Sequence, residues 1–173
     1  MPHRSVAIAN EFLKMPGALE TVTQMQLQKL VYLAHGWNLV VNECRLVSDP
    51  IEAWTYGPVF RDLYDHTKFF GKEPIGRLIT PDDSEAVRVF SKFLRNRQPP
   101  YQANVTDREK QVIQHVWNRY GALDAIRLSQ LTHQRGTPWF DTFTQKGRDS
   151  VISDEIIRPH YVQLAERATQ ASG

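Results

Sequence analysis

Between Leu27 and Trp37 (LQKLVYLAHGW) the apolar positions do not keep to one face. Leu27, Leu30, Val31, Ala34 and Asn38 recur at i, i+3, i+4, i+7 and i+11, while Lys29, Leu33, Gly36 and Val40 form a second stripe and Gln28, Tyr32, His35 and Leu39 a third. A helix covered on nearly every side belongs in the middle of a domain. In that setting Gly36 predicts a close helix crossing, and Lys29 needs a carboxylate or a route to water.

Other elements surround this one. Ser5 is placed to cap a first helix reaching about Met15, with Ile8, Phe12 and Met15 inward and Pro16 and Gly17 as its stop. Thr23 and Gln26 form a capping-box pattern ahead of the central helix. Arg45 to Val47 and Ile51 to Trp54 read as a short β element folded about Ser48, Asp49 and Pro50. Gly57 and Pro58 then turn the chain into a helix over Val59 to Phe70, in which Arg61 and Asp65 stand at ion-pair spacing. Gly71 to Ile79 reads as an irregular loop, and Thr80 and Pro81 open a helix to about Arg95 whose first turn holds Asp82 and Asp83.

Asn96 to Asn104 (NRQPPYQAN) cannot sustain a helix. It is a connector and not a boundary, because Val112, Ile113, Val116 and Trp117 on the next helix, Thr106 to Tyr120, need a surface to pack on. That helix has a capping box at Thr106 and Glu109 and a stop at Gly121. A short helix from Asp124 to His133 follows, then one opened by Thr137 and Pro138 that carries Trp139, Phe140 and Phe143. The last element has two readings. Ile152 and Ile157 fit a hydrophobic staple around a Ser153 cap, yet Pro159 would disrupt that helix, which leaves a turn followed by a helix from Pro159 to Arg167. The expectation is one mainly α-helical domain over residues 1–168, with about eight helices, a small β hairpin near residues 45–54 and a disordered tail at 169–173.

Composition narrows the class further. A chain of 173 residues, 41% hydrophobic and 23% charged, is long enough to bury a core without disulfides. Its formal charge of +2 is too small to argue for nucleic acid or membrane. Cys44 is the only cysteine, which rules out an internal disulfide and favours a reducing cytoplasm. The segment MPHRSVAIANEF lacks the form of a secretory leader, and no run approaches the roughly 20 apolar residues of a membrane span.

Leu27 to Trp37 and Ile51 to Phe60 (IEAWTYGPVF), together with Leu128 to Trp139 (LSQLTHQRGTPW) and Ile152 to Tyr161, resemble the Panacea domain of the SocA-like antitoxin family of bacteria and phages. The resemblance runs in order from about Ser5 to about Ala165. It implies a non-enzymatic protein that binds and neutralises a toxin encoded by a neighbouring gene. In at least one branch it also implies delivery of that toxin to a AAA+ protease.

Catalytic and metal chemistry find little support in the residues themselves. His133 stands near Pro138 and Trp139, but it lacks a nucleophile or metal partner and suits a helix end. Asp62 and His66, at i and i+4, are two ligands where a site needs more. Cys44 has no activating signature, and neither a GxSxG turn nor a Gly-rich phosphate loop occurs. No cofactor is expected. The rival reading is a DNA-binding regulator of its own operon, in which the helices between Thr106 and Phe143 imitate a helix-turn-helix with Arg119, Arg127 and Arg135 on phosphates. Glu109, Asp124 and Asp141 dilute that basic face, so protein binding is favoured over nucleic acid.

Four residues are candidates for a partner interface: Trp54, Tyr56, Arg61 and Trp139. Tight interfaces concentrate their energy in a few Trp, Tyr and Arg side chains. The competing expectation is that the aromatics are buried beneath the turns they border, with Arg61 paired to Asp65. Lys29 and Glu52 are expected to pair internally.

Overall fold

The structure, a computed structural model, describes every residue except 92, 94–96 and 173. In chain order α1 (Ser5–Leu13) and α2 (Ala18–Thr21) precede α3 (Gln24–Val41), after which a hairpin of β1 (Ile51–Trp54) and β2 (Gly57–Phe60) leads into α4 (Arg61–Thr67). Then come α5 (Glu85–Ser91), α6 (Asp107–Tyr120), α7 (Ala125–His133), α8 (Pro138–Lys146) and α9 (Asp154–Ala171). Two 3-10 turns, Lys68–Phe70 and Pro81–Asp83, complete the regular structure among the described residues. The fold is mainly α. No described helix is long and apolar enough to cross a membrane.

The three apolar stripes of α3 have their explanation in its neighbours: α1, α4, α6, α7, α9 and β2 all pack against it. Thr23 and Gln26 close the expected capping box, and every residue from Leu27 to Leu39 is buried. Gln28 and Lys29 therefore satisfy their polar ends inside the protein. Gln28 does so by pairing both halves of its amide with the backbone of Phe60, at 2.9 and 3.0 Å, as a neighbouring strand would. Asn10 uses its amide in the same way on Ile79 and Tyr101. These two buried amides fix irregular chain to helices and leave no backbone group unpaired there.

The hairpin differs from its prediction in one strand. Ile51–Trp54 pairs with Gly57–Phe60 in the register Ile51↔Phe60 to Trp54↔Gly57, and not with Arg45 to Val47. The earlier segment is held instead by the N-terminus: the His3 N–H donates to the Leu46 carbonyl and the Ser48 N–H to the His3 carbonyl, both at 2.8 Å. Gly57, at φ 118°, makes the two-residue turn through Thr55 and Tyr56 possible. The following helix consequently starts at Arg61 and not Val59. The free edge of β1 is covered by residues 149–152, with Ala53 and Ile152 donating to Ser150 and Ile51.

Other boundaries moved for identifiable reasons. Ser5 is the first residue of α1 and not its cap, because its N–H and hydroxyl both turn to the Asp49 carboxylate. The Thr80 capping box with Asp83 closes only a 3-10 turn; extended Ser84 separates it from α5, and the predicted end at Arg95 and the connector's Asn96 fall outside the described residues. Of the two readings for the last element, the Ser153 cap holds. One helix runs through Pro159 to Ala171, and buried Ile157 and Tyr161 on its inner face offset the backbone bond that Pro159 cannot make.

Candidate functional site

The hairpin, the start of α4 and the two helices α7 and α8 bring three of the four candidate residues together. Trp139, on the first turn of α8, is 7% exposed and donates its indole N–H to the Trp54 carbonyl at 2.7 Å. Its ring stacks on Phe143 at 4.7 Å and meets the His133 ring edge-on at 5.3 Å. Trp54 is half-buried above it, with Tyr64 packed edge-on at 4.8 Å and the Arg61 guanidinium 5.3 Å from its ring centre. Trp139 thus supports the hairpin from below, while Trp54 and Arg61 face outward on it.

Arg61 is held by Glu52. Its guanidinium donates twice to that carboxylate, at 2.9 and 3.0 Å, a fork that fixes orientation as well as distance. The pairing replaces both sequence expectations for these residues, Arg61 with Asp65 and Glu52 with Lys29. Glu52 lies in β1 opposite Val59, on the strand next to the one that leads into Arg61, so the fork closes across the hairpin before α4 can offer Asp65.

Tyr56 stands apart at the tip. Its side chain is 69% exposed, yet its backbone is fixed, because Ser129 on α7 donates its hydroxyl to the Tyr56 carbonyl at 2.7 Å. One turn earlier on the same helix Ile126 is 70% exposed. A large aromatic and a branched aliphatic residue therefore lie bare on elements joined by a short hydrogen bond.

Beneath the turn sits the group that sequence reading placed least well. Lys29 is wholly buried and donates to the Pro58 carbonyl at 3.0 Å. No carboxylate pairs with it among the described residues, and burial pushes its ammonium down to about 7 from the usual 10.5. A Cβ added to Gly57 would lie 2.9 Å from Lys29 Cε, so the glycine is needed for space as well as for its backbone angle. The only sequence signal for this contact was a cation on an otherwise covered helix.

The remaining candidates are engaged structurally. His66 has both ring nitrogens occupied, by the Asp62 carbonyl at 2.7 Å and the Tyr101 hydroxyl at 3.0 Å, and Asp62 itself pairs with Arg4. His133 is bonded to the Ser129 hydroxyl at 3.1 Å. Cys44 is exposed, and its carbonyl receives the Asn38 amide. Among the described residues no three His, Cys, Asp or Glu side chains converge as a metal site would require. Arg119 and Arg135 line a cleft beside α9, and Arg127 is not among the residues that line it.

Comparison with known proteins identifies the family. Residues 27–140, which include all but the first three residues of α3, the hairpin, α7 and Trp139, match the family described as Antitoxin SocA-like, Panacea domain. The chain is also similar to Antitoxin SocA of Caulobacter vibrioides (strain NA1000 / CB15N), at 31% identity over 162 residues that cover 90% of this chain and 80% of that protein. No solved structure matches. Since the matched segment takes in both the buried helix and the hairpin docked on it, the chain belongs to the SocA-like antitoxin family with a Panacea domain.

Proposed function

We propose that this protein is an antitoxin that neutralises a protein toxin encoded by a neighbouring gene by binding it directly, in the cytoplasm and without catalysis. Membership of the family supports the role. The observation that carries the choice of surface is Tyr56, an exposed ring on a backbone that is already immobilised. An aromatic held this way loses little conformational freedom on binding and supplies a large contact area. Trp54 on β1, with the Arg61 guanidinium of α4 against its ring, and Ile126 on α7 add further exposed or half-buried surface to the proposed interface. Trp139 acts from beneath by setting the position of Trp54. Handing the bound toxin to a AAA+ protease is a further step, which would need a surface of the complex that the toxin leaves free.

Co-expression with the adjacent gene tests the proposal. The neighbour alone should arrest growth, this chain should restore it, and the two should be retained together in a pull-down. A neighbour that is harmless, or toxic but never retained, would sink it. Loss of rescue in a strain lacking AAA+ proteases, with binding intact, would add the delivery step.

A further inference from the structure

The cleft between α3, α6, the α7–α8 turn and α9 lies outside the hairpin surface and has a composition of its own. Its volume is about 510 Å³. Arg119 enters from the end of α6, Arg135 from the α7–α8 turn and Arg167 from α9, while Asp and Glu are absent from the residues that line it. None of the three arginines is in a salt bridge among the described residues; Arg119 rests on the Tyr120 ring, 5.4 Å from its centre. Arg4, Arg45, Arg61, Arg77, Arg148 and Arg158 each have a carboxylate, and Arg97, Arg108 and Arg127 lack one among the described residues as the cleft arginines do, so what sets the cleft apart is the gathering of three arginines in a lining without Asp or Glu.

We propose that this cleft is a binding site for a small molecule carrying two or more phosphate groups, of the size of a nucleoside polyphosphate. The volume falls inside the roughly 300–1,000 Å³ of small-molecule sites. The cations are all arginine, and the guanidinium fork matches phosphate oxygens two at a time, where a lysine offers a point charge. Three forks from three separate elements can converge on one compact anion, and no wall carboxylate competes for them. Gln134 and Gln163, whose amides have no side-chain partner among the described residues, are placed to read polar edges of the remainder of the ligand. Leu33, Leu131 and Leu164 supply apolar surface for it. Trp37, 7% exposed, also lines the cleft, and its buried indole N–H has no hydrogen-bond partner among the described residues. A donor left so is uncommon in a protein interior, although the Tyr32 hydroxyl and the Trp54 indole N–H share the condition here. His160 is held toward its neutral form by burial and by the charge of Arg167, against the opposing pull of Asp141, so it adds a hydrogen-bonding ring without a fourth positive charge. A duplex could not be surrounded in this way, and a DNA face built on this region would need Arg127, which stands outside.

The proposal does not depend on the antitoxin reading. Calorimetric titration of the full chain with inorganic pyrophosphate, ATP and GTP tests it. At least one should bind with Kd below about 100 μM; nucleotide binding tighter than pyrophosphate identifies the nucleoside as part of the ligand, and equal binding identifies the phosphates alone. The pair Arg135→Glu and Arg167→Glu should weaken binding at least tenfold with the melting temperature of the free protein unchanged, and Arg135→Gln with Arg167→Gln serves where charge reversal impairs folding. Arg127→Glu should have no effect. Absence of binding to all three probes, binding that ignores the cleft variants, or a 20-base-pair duplex bound more tightly than any probe and weakened by Arg127→Glu would each overturn it.

Discussion

A Cβ placed on Gly36 would lie 2.4 Å from Cε2 and Cζ of Tyr161, so α3 and α9 cross at the one position on α3 that has no side chain. Tyr161 is itself confined, with its ring edge-on to Trp37 at 5.4 Å and to Tyr32 at 6.3 Å. A planar ring locked on two sides cannot retreat as a flexible side chain would. Gly36→Ala should therefore destabilise the protein by about 1–3 kcal/mol, even after the gain of up to about 1 kcal/mol in helix propensity. Chemical denaturation measures it. In a double-mutant cycle Tyr161→Ala should cost less in the Gly36→Ala background than in the wild type, and additive losses would mean that the two helices do not touch there.

Lys29 makes stability depend on pH in the direction opposite to a paired lysine. Its buried ammonium titrates near 7 when folded and near its ordinary value when unfolded. Between about pH 7 and 10.5 the unfolded chain therefore holds a proton that the folded one lacks, and stability rises with pH across that window. Below pH 7 both states are charged, and the folded one carries the full penalty of a buried ammonium that donates to the Pro58 carbonyl and has no carboxylate among the described residues. Lys29→Met should flatten this slope. The wild type should gain on the order of 3 kcal/mol relative to the variant between pH 6 and pH 9.5, read from urea unfolding at both; parallel curves would show that Lys29 titrates normally.

At the acid end the relevant pair is His35 and Asp154. Val47 donates its N–H to His35 Nδ1 at 3.2 Å, which leaves Nε2 to donate to the Asp154 carboxylate at 2.8 Å. Burial alone would raise the Asp154 carboxyl, but the His35 hydrogen bond and the charge of Arg45, 3.0 Å away, outweigh it and hold the group low. A carboxylate depressed in this way stabilises the fold above its ordinary range near pH 4, and the contribution is lost as pH falls through the folded value. Asp154→Asn should lose about 1 kcal/mol at pH 7 and match the wild type near pH 2. An equal deficit at both would assign the loss to packing.

Where a helix start was legible it was because a cap is a local device: Thr23, Thr106 and Thr137 cap the helices their sequence context predicts, whereas Ser5 does not, because Asp49 takes its hydroxyl. The close crossing at Gly36 was legible too, since a lone glycine on an apolar helix has few other uses. What escaped was decided at long range. The partner of β1 depended on His3 taking the Val47 segment from 44 residues away, and the partner of Glu52 on a hairpin closing before the next helix turn. Lys29 was recognisable as misplaced by charge, but its acceptor is a backbone carbonyl, which no residue type advertises. The basic cleft was invisible as a unit because Arg167 comes from α9, more than 30 residues beyond Arg135. Of the interface candidates, Tyr56 and Trp139 look alike in sequence as aromatics beside turns, and only packing separates an exposed ring from a supporting one.

That separation gives the last prediction its form, because the two aromatics should fail in different ways. Tyr56→Ala removes an exposed ring and leaves its carbonyl with Ser129, so stability should change by less than about 0.5 kcal/mol while affinity for the toxin falls by at least about 2 kcal/mol. Trp139→Phe keeps a ring in place but deletes the N–H that the Trp54 carbonyl accepts. Stability should drop by about 1–2 kcal/mol, with affinity following only as far as Trp54 shifts. Arg61→Ala stands between them: it frees Glu52 and uncovers the Trp54 ring, so it should weaken binding less than Tyr56→Ala does and mainly by speeding dissociation. A melting curve beside a binding isotherm for each variant separates these outcomes. Should Tyr56→Ala bind the toxin as tightly as the wild type while the complex still forms, the interface lies elsewhere on the molecule and the hairpin is scaffold only.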